Sequence, residues 1–481
     1  MASTFFGLTI AYSGLQAANT SLTITGHNVS NINTKGYTKQ QAGTQAADAL
    51  RTHTTYGAIG SGVVVTEISQ IRDSYYDVKY RNNMANYGQY SVKESYMGQI
   101  EDYLDEFTLN GYSQEYKNFF SAVNQLTITP GDTSAKNQLI NNAKSLADYF
   151  NTLTTNLRNV QADANNEIKD AVQQINSYAK NIAALNRQIN QIEANYGNAN
   201  DLRDKRNAMI DELSEIVNLE TSEEDMGNNV SNFSVRINGQ TLVSSYSYNT
   251  LETVARTDKK NYSDAEGLYD VQWNSGQKFD MYSTSLSGHL KGLIDIRDGN
   301  NGEHENIETD DNGNNVTDSD GNLVLTTAPA ADKTVSYKGV PYYQAQLNEF
   351  AKIFSDAVNK IMKSGYTSDG SSKGISLFVT QPNTTVMSAG NITVNPQLLK
   401  NADLLAIKKE QNDGESDAKI MEELNKLQSE KIFAGGTGSY FLESIVSDMS
   451  IDSQKAVNLY KNYTDLKTSI HNQRLSIMGV D

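Results

Sequence analysis

The sequence predicts a mainly α protein: a long, coiled-coil-like helical rod formed by the N- and C-terminal regions, with a β-rich outer domain inserted in the middle. Three observations support this. Residues 132–196 and 439–478 contain no Gly or Pro and repeat their apolar side chains at heptad spacing. The chain has five prolines in 481 residues, and proline breaks helices by removing a hydrogen bond and clashing with the preceding turn. After Glu223 the pattern changes to the alternation of half-buried strands.

In chain order, residues 4–26 read as a helix. Phe5, Leu8, Tyr12, Leu15, Asn19 and Leu22 are spaced three and four apart, and Gly26 is a C-terminal stop. Residues 1–34 hold no Lys, Arg, Asp or Glu. A solvated helix face carries charge, so this helix reads as one to be surrounded by other polypeptide. Its apolar seam is too small to repay the ordering of the segment alone. If ordered, it is expected to project from the rod with few contacts. Residues 27–45 read as a polar, Asn-rich loop, and Gly57, Gly60 and Gly62 as a turn leading into the strand Val63-Val64-Val65.

The stretch from Asp132 to Tyr196 follows Pro130-Gly131, with Asp132 or Thr133 as N-cap. Leu139, Leu146, Leu153 and Val160 recur every seven residues, then Ile168, Ile175, Ile182 and Ile189. The phase slips by one residue between Val160 and Ile168. Such a slip alters the supercoil locally or marks a break. Unbroken, the helix is roughly 100 Å long at 1.5 Å per residue. Leu202, Met209, Leu213 and Ile216 mark another helix. Phe233, Val235 and Ile237 alternate before the hairpin turn Asn238-Gly239. Strands are expected at 268–273 and 391–394, and a helix at 342–362. Leu459, Tyr463, Leu466, Ile470 and Ile477 give the last helix a seam. The expected division is 1–45 as assembly helix and loop, 46–225 with 431–481 as rod, and 226–430 as outer domain. Residues 298–340 form a flexible insertion in that division, and helix 341–363 is free to return to the rod.

The formal charge of -17 argues against nucleic acid or an anionic membrane as partner. The absence of cysteine removes disulfides, thiol catalysis and thiolate metal sites. The N-terminus lacks the positive region of a Sec signal, and no run reaches the roughly 20 apolar residues of a membrane span. His27, His53, His289, His304 and His471 show no metal-binding spacing, and solvated or capping positions are the plainer reading. Asp318-Ser319-Asp320-Gly321 hints at a calcium loop, but Val316 and Thr327 would fill its first and last ligand positions. Glu223-Glu224-Asp225 reads as a solvated face, with no apolar surroundings to raise a pKa. No catalytic, cofactor or metal residue is assigned.

Ile24-Thr25-Gly26-His27-Asn28-Val29-Ser30-Asn31-Ile32-Asn33-Thr34-Lys35-Gly36-Tyr37 resembles the signature shared by bacterial flagellar rod, hook and hook-associated proteins. Gly60-Ser61-Gly62-Val63, Ile71-Arg72-Asp73 and Tyr80-Arg81 resemble the segment that follows it. Asn200-Asp201-Leu202-Arg203-Asp204-Lys205-Arg206-Asn207, Leu213 to Val217, Gly288 to Asp298 and Asp356 to Lys360 are similar to the hook-associated, hook–filament junction branch of that family.

The resemblance implies a non-catalytic structural subunit joining hook to filament outside the cell, exported by the flagellar type III apparatus. It implies as partners further copies of itself, the hook protein, a second junction protein (hook-associated protein 3) and a cytoplasmic export chaperone. It points to an assembly interface of Phe5, Leu8, Tyr12, Leu15, Asn19 and Leu22 with Asn28, Asn31, Asn33, Gly36 and Tyr37. Family members continue past a sequence like Ile477 to Asp481 into a terminal helix that packs with the N-terminal one. The expectation is therefore of a chain lacking that helix, with assembly and chaperone binding impaired. The alternative is an outer lobe that is enzymatic or adhesive, the latter suggested by Tyr246, Tyr248 and Tyr262.

Overall fold

The computed structural model describes residues 5–51, 57–104, 112–257, 259–302, 306–307, 325–326, 335–382, 384, 386–414, 416–433 and 436–480. Helix α1 (Phe6–Ser30) leads into β1 (Gln40–Ala46), β2 (Leu50–Arg51), β3 (Ala58–Ile59) and β4 (Val63–Gln70). Then come α2 (Ser74–Leu104), α3 (Tyr112–Ile128), α4 (Thr133–Glu193) and α5 (Asn200–Ile216). Strands β5 (Glu220–Asp225), β6 (Ser231–Ile237), β7 (Gln240–Ser244) and β8 (Ser247–Tyr248) form one antiparallel sheet in that order. β9 (Leu251–Ala255) pairs with β10 (Tyr269–Trp273), and α6 (His289–Asp298) follows. β11 (Asn306–Ile307) pairs with β12 (Leu325–Thr326) ahead of α7 (Val340–Ser364). β13 (Tyr366–Thr367), β14 (Phe378–Thr380), β15 (Ile392–Val394), α8 (Pro396–Lys400), β16 (Ala406–Lys408), α9 (Lys419–Lys426) and α10 (Gly438–Met478) complete the chain.

The rod is organised around α4. Asp132 caps it, accepting from the Ser134 amide at 2.8 Å. Its 61 residues run unbroken, about 90 Å at the usual rise. The phase slip is absorbed without a break, and Val160, Ala164 and Ile168 step by four and all stay buried. A second stripe on α4 is amide-bearing. Gln161, Asn165, Asn176, Asn186 and Asn190 each bond strand or loop backbone, as where Asn176 pairs with both the N–H and C=O of Leu251 at 2.8 Å. The β5–β8 sheet and the β9–β10 pair therefore lie along α4, held by side-chain amides that satisfy strand and loop backbone groups.

Asn238 and Gly239 carry positive φ angles of 49° and 76°, as the tight β6–β7 hairpin requires. α2 is only weakly amphipathic and reaches its neighbours through glycines. A Cβ on Gly88 would lie 2.1 Å from the Glu215 carbonyl oxygen, and one on Gly292 would lie 2.6 Å from that of Gln89. α10 packs along α2. At one end Phe441 enters an aromatic cluster with Phe150, Phe350, Phe354 and Phe433, in which Phe350 and Phe433 stack at 5.0 Å. Further along, Tyr87 meets Tyr460 and Tyr90 stacks on Tyr463 at 5.3 Å. Of the predicted α10 seam, Ile470 is buried and Leu466 half exposed.

Three expectations need correction. The first helix does not stop at Gly26 but runs to Ser30, because Asn31 closes it by donating its side-chain amide to the His27 carbonyl at 3.0 Å. Residues 40–46 are a strand paired with β4 rather than loop. The edges of the expected flexible insertion, 298–302 and 335–340, are packed: Asp298, Asn300 and Val340 are buried. Most of that insertion, the calcium-like loop 316–327 except its β12 backbone, His53 and His304 lie outside the described residues.

Candidate assembly interface

Two heptad stripes run along α1 on nearly opposite faces. Phe6, Ile10, Ser13, Ala17, Thr20, Ile24 and Asn28 are buried or half-buried against β1 and β4. Ser13 Oγ accepts from the Val63 amide at 3.2 Å. The helix is thus better supported than expected, on one side. The sequence-predicted seam is the other stripe: Phe5, Leu8, Tyr12, Leu15 and Leu22 are each at least 58% exposed, and Asn19 is exposed. Most serine and threonine hydroxyls of α1 are satisfied internally. Thr9, Thr20, Thr23, Thr25 and Ser30 each donate to the carbonyl four residues back. The helix therefore offers a surface without charge and with few donors left to hydrate, which a neighbouring chain can cover at low desolvation cost.

The loop residues divide. Asn28 is buried and internal: its Nδ2 donates to the Gln40 carbonyl at 2.9 Å and its Oδ1 accepts from the Gln40 amide at 3.0 Å. Tyr37 OH also donates to Asn28 Oδ1 at 2.7 Å. With that proton committed, His27 Nδ1 must be the donor in its 3.0 Å contact with Tyr37 OH. Gly36 (φ 80°) packs on Ala208, 3.0 Å from where its Cβ would sit. Asn31 closes the helix, and Asn33 is exposed. Asn28, Gly36 and Tyr37 thus place α1 rather than present a surface.

Beneath α1 sits a chain of alternating charges that spacing could not reveal. Asp204 accepts from the Thr38 amide at 2.9 Å and hydroxyl at 2.7 Å. Arg72 reaches Thr38 Oγ1 at 3.2 Å and grips Asp77 with two nitrogens, at 2.6 and 3.1 Å. Asp77 also pairs with Arg474 at 3.0 Å, Arg474 with Asp211 at 2.6 Å, and Asp211 with Arg81 at 2.8 Å. Three arginines and three aspartates so link the N-terminal loop, α2, α5 and α10, with side chains no more than 15% exposed. Such pairs are stable when every charge has a partner and costly when one is removed. Burial raises the Asp204 carboxyl above its ordinary value, opposed by the Thr38 bonds and Arg72. Lys39 N–H completes the joint by donating to the Met478 carbonyl at 2.8 Å.

Other singled-out residues have structural neighbours. Glu223 pairs with Arg203 at 3.0 Å and Arg206 at 3.3 Å. Burial pushes the Arg206 guanidinium, which lies over Phe233, down to about 10. Tyr246 OH accepts from Asn190 at 3.1 Å. His289 lies 3.6 Å from Glu167, and His471 against Tyr80. Among the described residues no group of three His, Cys, Asp or Glu side chains is placed to hold a metal, and no helix is long and apolar enough to cross a membrane.

A helical rod with small antiparallel sheets laid along it, and a charge-free helix presented at one end, defines a class: rod-like structural subunits. The chain belongs to the flagellar hook-associated protein FlgK family, since the family model described as "Flagellar hook-associated protein FlgK helical domain" matches residues 97–378. It is 27% identical over 507 aligned positions to flagellar hook-associated protein 1 of Bacillus subtilis (strain 168), covering 100% of this chain and 92% of that relative. The protein of the same name from Salmonella typhimurium is 33% identical over 219 residues, which are 45% of this chain and 39% of that relative. The fold is similar to that of the flagellar hook junction protein FlgK from Burkholderia pseudomallei, with a TM-score of 0.62 at 15% identity over 83% of this chain and all of that one.

Proposed function

We propose that this protein is a non-catalytic subunit joining hook to filament on the outside of the bacterial cell, incorporated when neighbouring subunits cover the exposed seam of α1. The observation that carries the reading is the division of α1. One stripe is occupied by β1 and β4, while Phe5, Leu8, Tyr12, Leu15 and Leu22 stand exposed on a helix without charge. The neighbours are further copies of this chain, the hook protein and the second junction protein, reached after export with a cytoplasmic chaperone. The family and the relatives' names support the flagellar setting. Residues 1–45 serve as the assembly segment, 46–225 with 431–481 as the rod and 226–430 as the outer part. Leu15→Asp tests the docking step. Incorporation onto hooks should fall at least tenfold while thermal unfolding stays unchanged, because Leu15 touches no core. Normal incorporation, or a large drop in melting temperature, overturns the reading.

A further inference from the structure

The contiguous buried core begins at Val92, and no described residue from 5 to 91 belongs to it. α1 with β1 and β4 is instead joined to the rod through hydrogen bonds. Asn198 and Asn200 both donate to the Ile68 carbonyl, at 2.9 and 2.8 Å, and Gln40 donates to Asp201 at 3.0 Å. Asp204 is the most enclosed of these contacts: it holds the amide and hydroxyl of Thr38, which is itself fully buried. Thr38 passes the connection to Arg72, and through Asp77 it reaches Arg474 near the C-terminal end of α10. Arg474 shares Asp77 with Arg72, which bonds Thr38, and this end of α10 also meets the N-terminal segment directly where the Lys39 N–H donates to the Met478 carbonyl.

We propose that Asp204 is the positioning residue that sets the angle of the α1–hairpin unit on the rod, and that the end of α10 is wired to it through Arg474, Asp77 and Arg72. A polar joint of this kind opens below the free energy of global unfolding, since each hydrogen bond contributes little net stability and little apolar area is lost. The directionality of the bonds fixes one angle while they are intact. A contact that pulls on the C-terminal end of α10 takes Asp77 from Arg72 and loosens Thr38. The inference stands independently of which subunits cover the seam.

The chain has no cysteine, so it accepts a labelled pair cleanly. Spin labels on Ala18→Cys in α1 and Lys180→Cys in α4, both at exposed positions, report the angle as a distance distribution. Asp204→Ala should broaden it, and speed amide exchange over 38–46 at least tenfold, with α4 exchange unchanged. Asp204→Asn keeps an acceptor for the Thr38 amide and should broaden it less. Arg474→Gln should broaden the same distribution although it lies on another element, a readout that a purely local role for Asp204 would not move. An unchanged distribution in Asp204→Ala overturns the latch, and loosening of α4 together with the hairpin overturns it equally. A broadened Asp204→Ala with an unchanged Arg474→Gln overturns the link to α10.

Discussion

Asn28 hydrogen-bonds both backbone groups of Gln40 with one side-chain amide. Asn28→Ala leaves those buried groups unpaired, at about 1–3 kcal/mol. The cost falls on the N-terminal unit alone, so amide exchange at 37–42 should accelerate while the main melting transition stays in place. Lys260 gives a pH-dependent case. Its ammonium lies over the Tyr282 ring and donates to the hydroxyl, beside Asp270 at 4.0 Å. Burial, opposed by the Asp298 charge and reinforced by that of Arg256, lowers its pKa from 10.5 to about 8. Between those values the unfolded chain binds more protons than the folded one, so this residue's contribution to stability rises with pH. Lys260→Met should stabilise the protein at pH 7 by about 1–2 kcal/mol, after allowance for solvent screening. The advantage should fade as the pH approaches 10.5. A melting-temperature difference that is constant from pH 7 to 10.5 would contradict this assignment.

Elements differ in how openly the sequence displays them. α4 was legible because its seam is apolar, regular and free of Gly and Pro, and Asp132 marks its start. The seam of α1 was legible for the same reason. Its second stripe was not, because Ser13, Ala17 and Asn28 are too small or polar to stand out, and their role appears only when β1 and β4 lie beneath them. α2 hides its partners further: tyrosines and glycines, not an aliphatic stripe, meet α10 and α5. Gly88→Ala would drive a methyl into the Glu215 carbonyl oxygen, 2.1 Å away, so α2 must shift off α5. Overpacking of this kind costs roughly 1–3 kcal/mol, and thermal unfolding should register it. The Arg–Asp chain was beyond reach of spacing arguments, since Arg72, Asp204 and Arg474 are brought together only by the folded rod.

Across the whole molecule the long-range packing converges on Phe350. It stacks on Phe150 of α4 at 5.3 Å, on Phe354 of α7 at 5.6 Å and on Phe433 at 5.0 Å, and it lies 6.4 Å from Phe441 of α10. Phe350→Ala should cost about 3–5 kcal/mol through lost burial and the cavity left behind. Unlike Asn28→Ala or Asp204→Ala, it should lower the main melting transition, by roughly five degrees. The two sets of variants separate a cooperative body from a hydrogen-bonded base. A lever has the same parts. Helix α4 is a beam of about 90 Å whose far end turns with its base. A tilt of about 5° where α5 and the charge chain grip the rod would carry that far end about 8 Å sideways, more than half the about 10–12 Å width of a helix with its side chains. Small angular tolerances in a few hydrogen bonds thus become subunit-scale displacements.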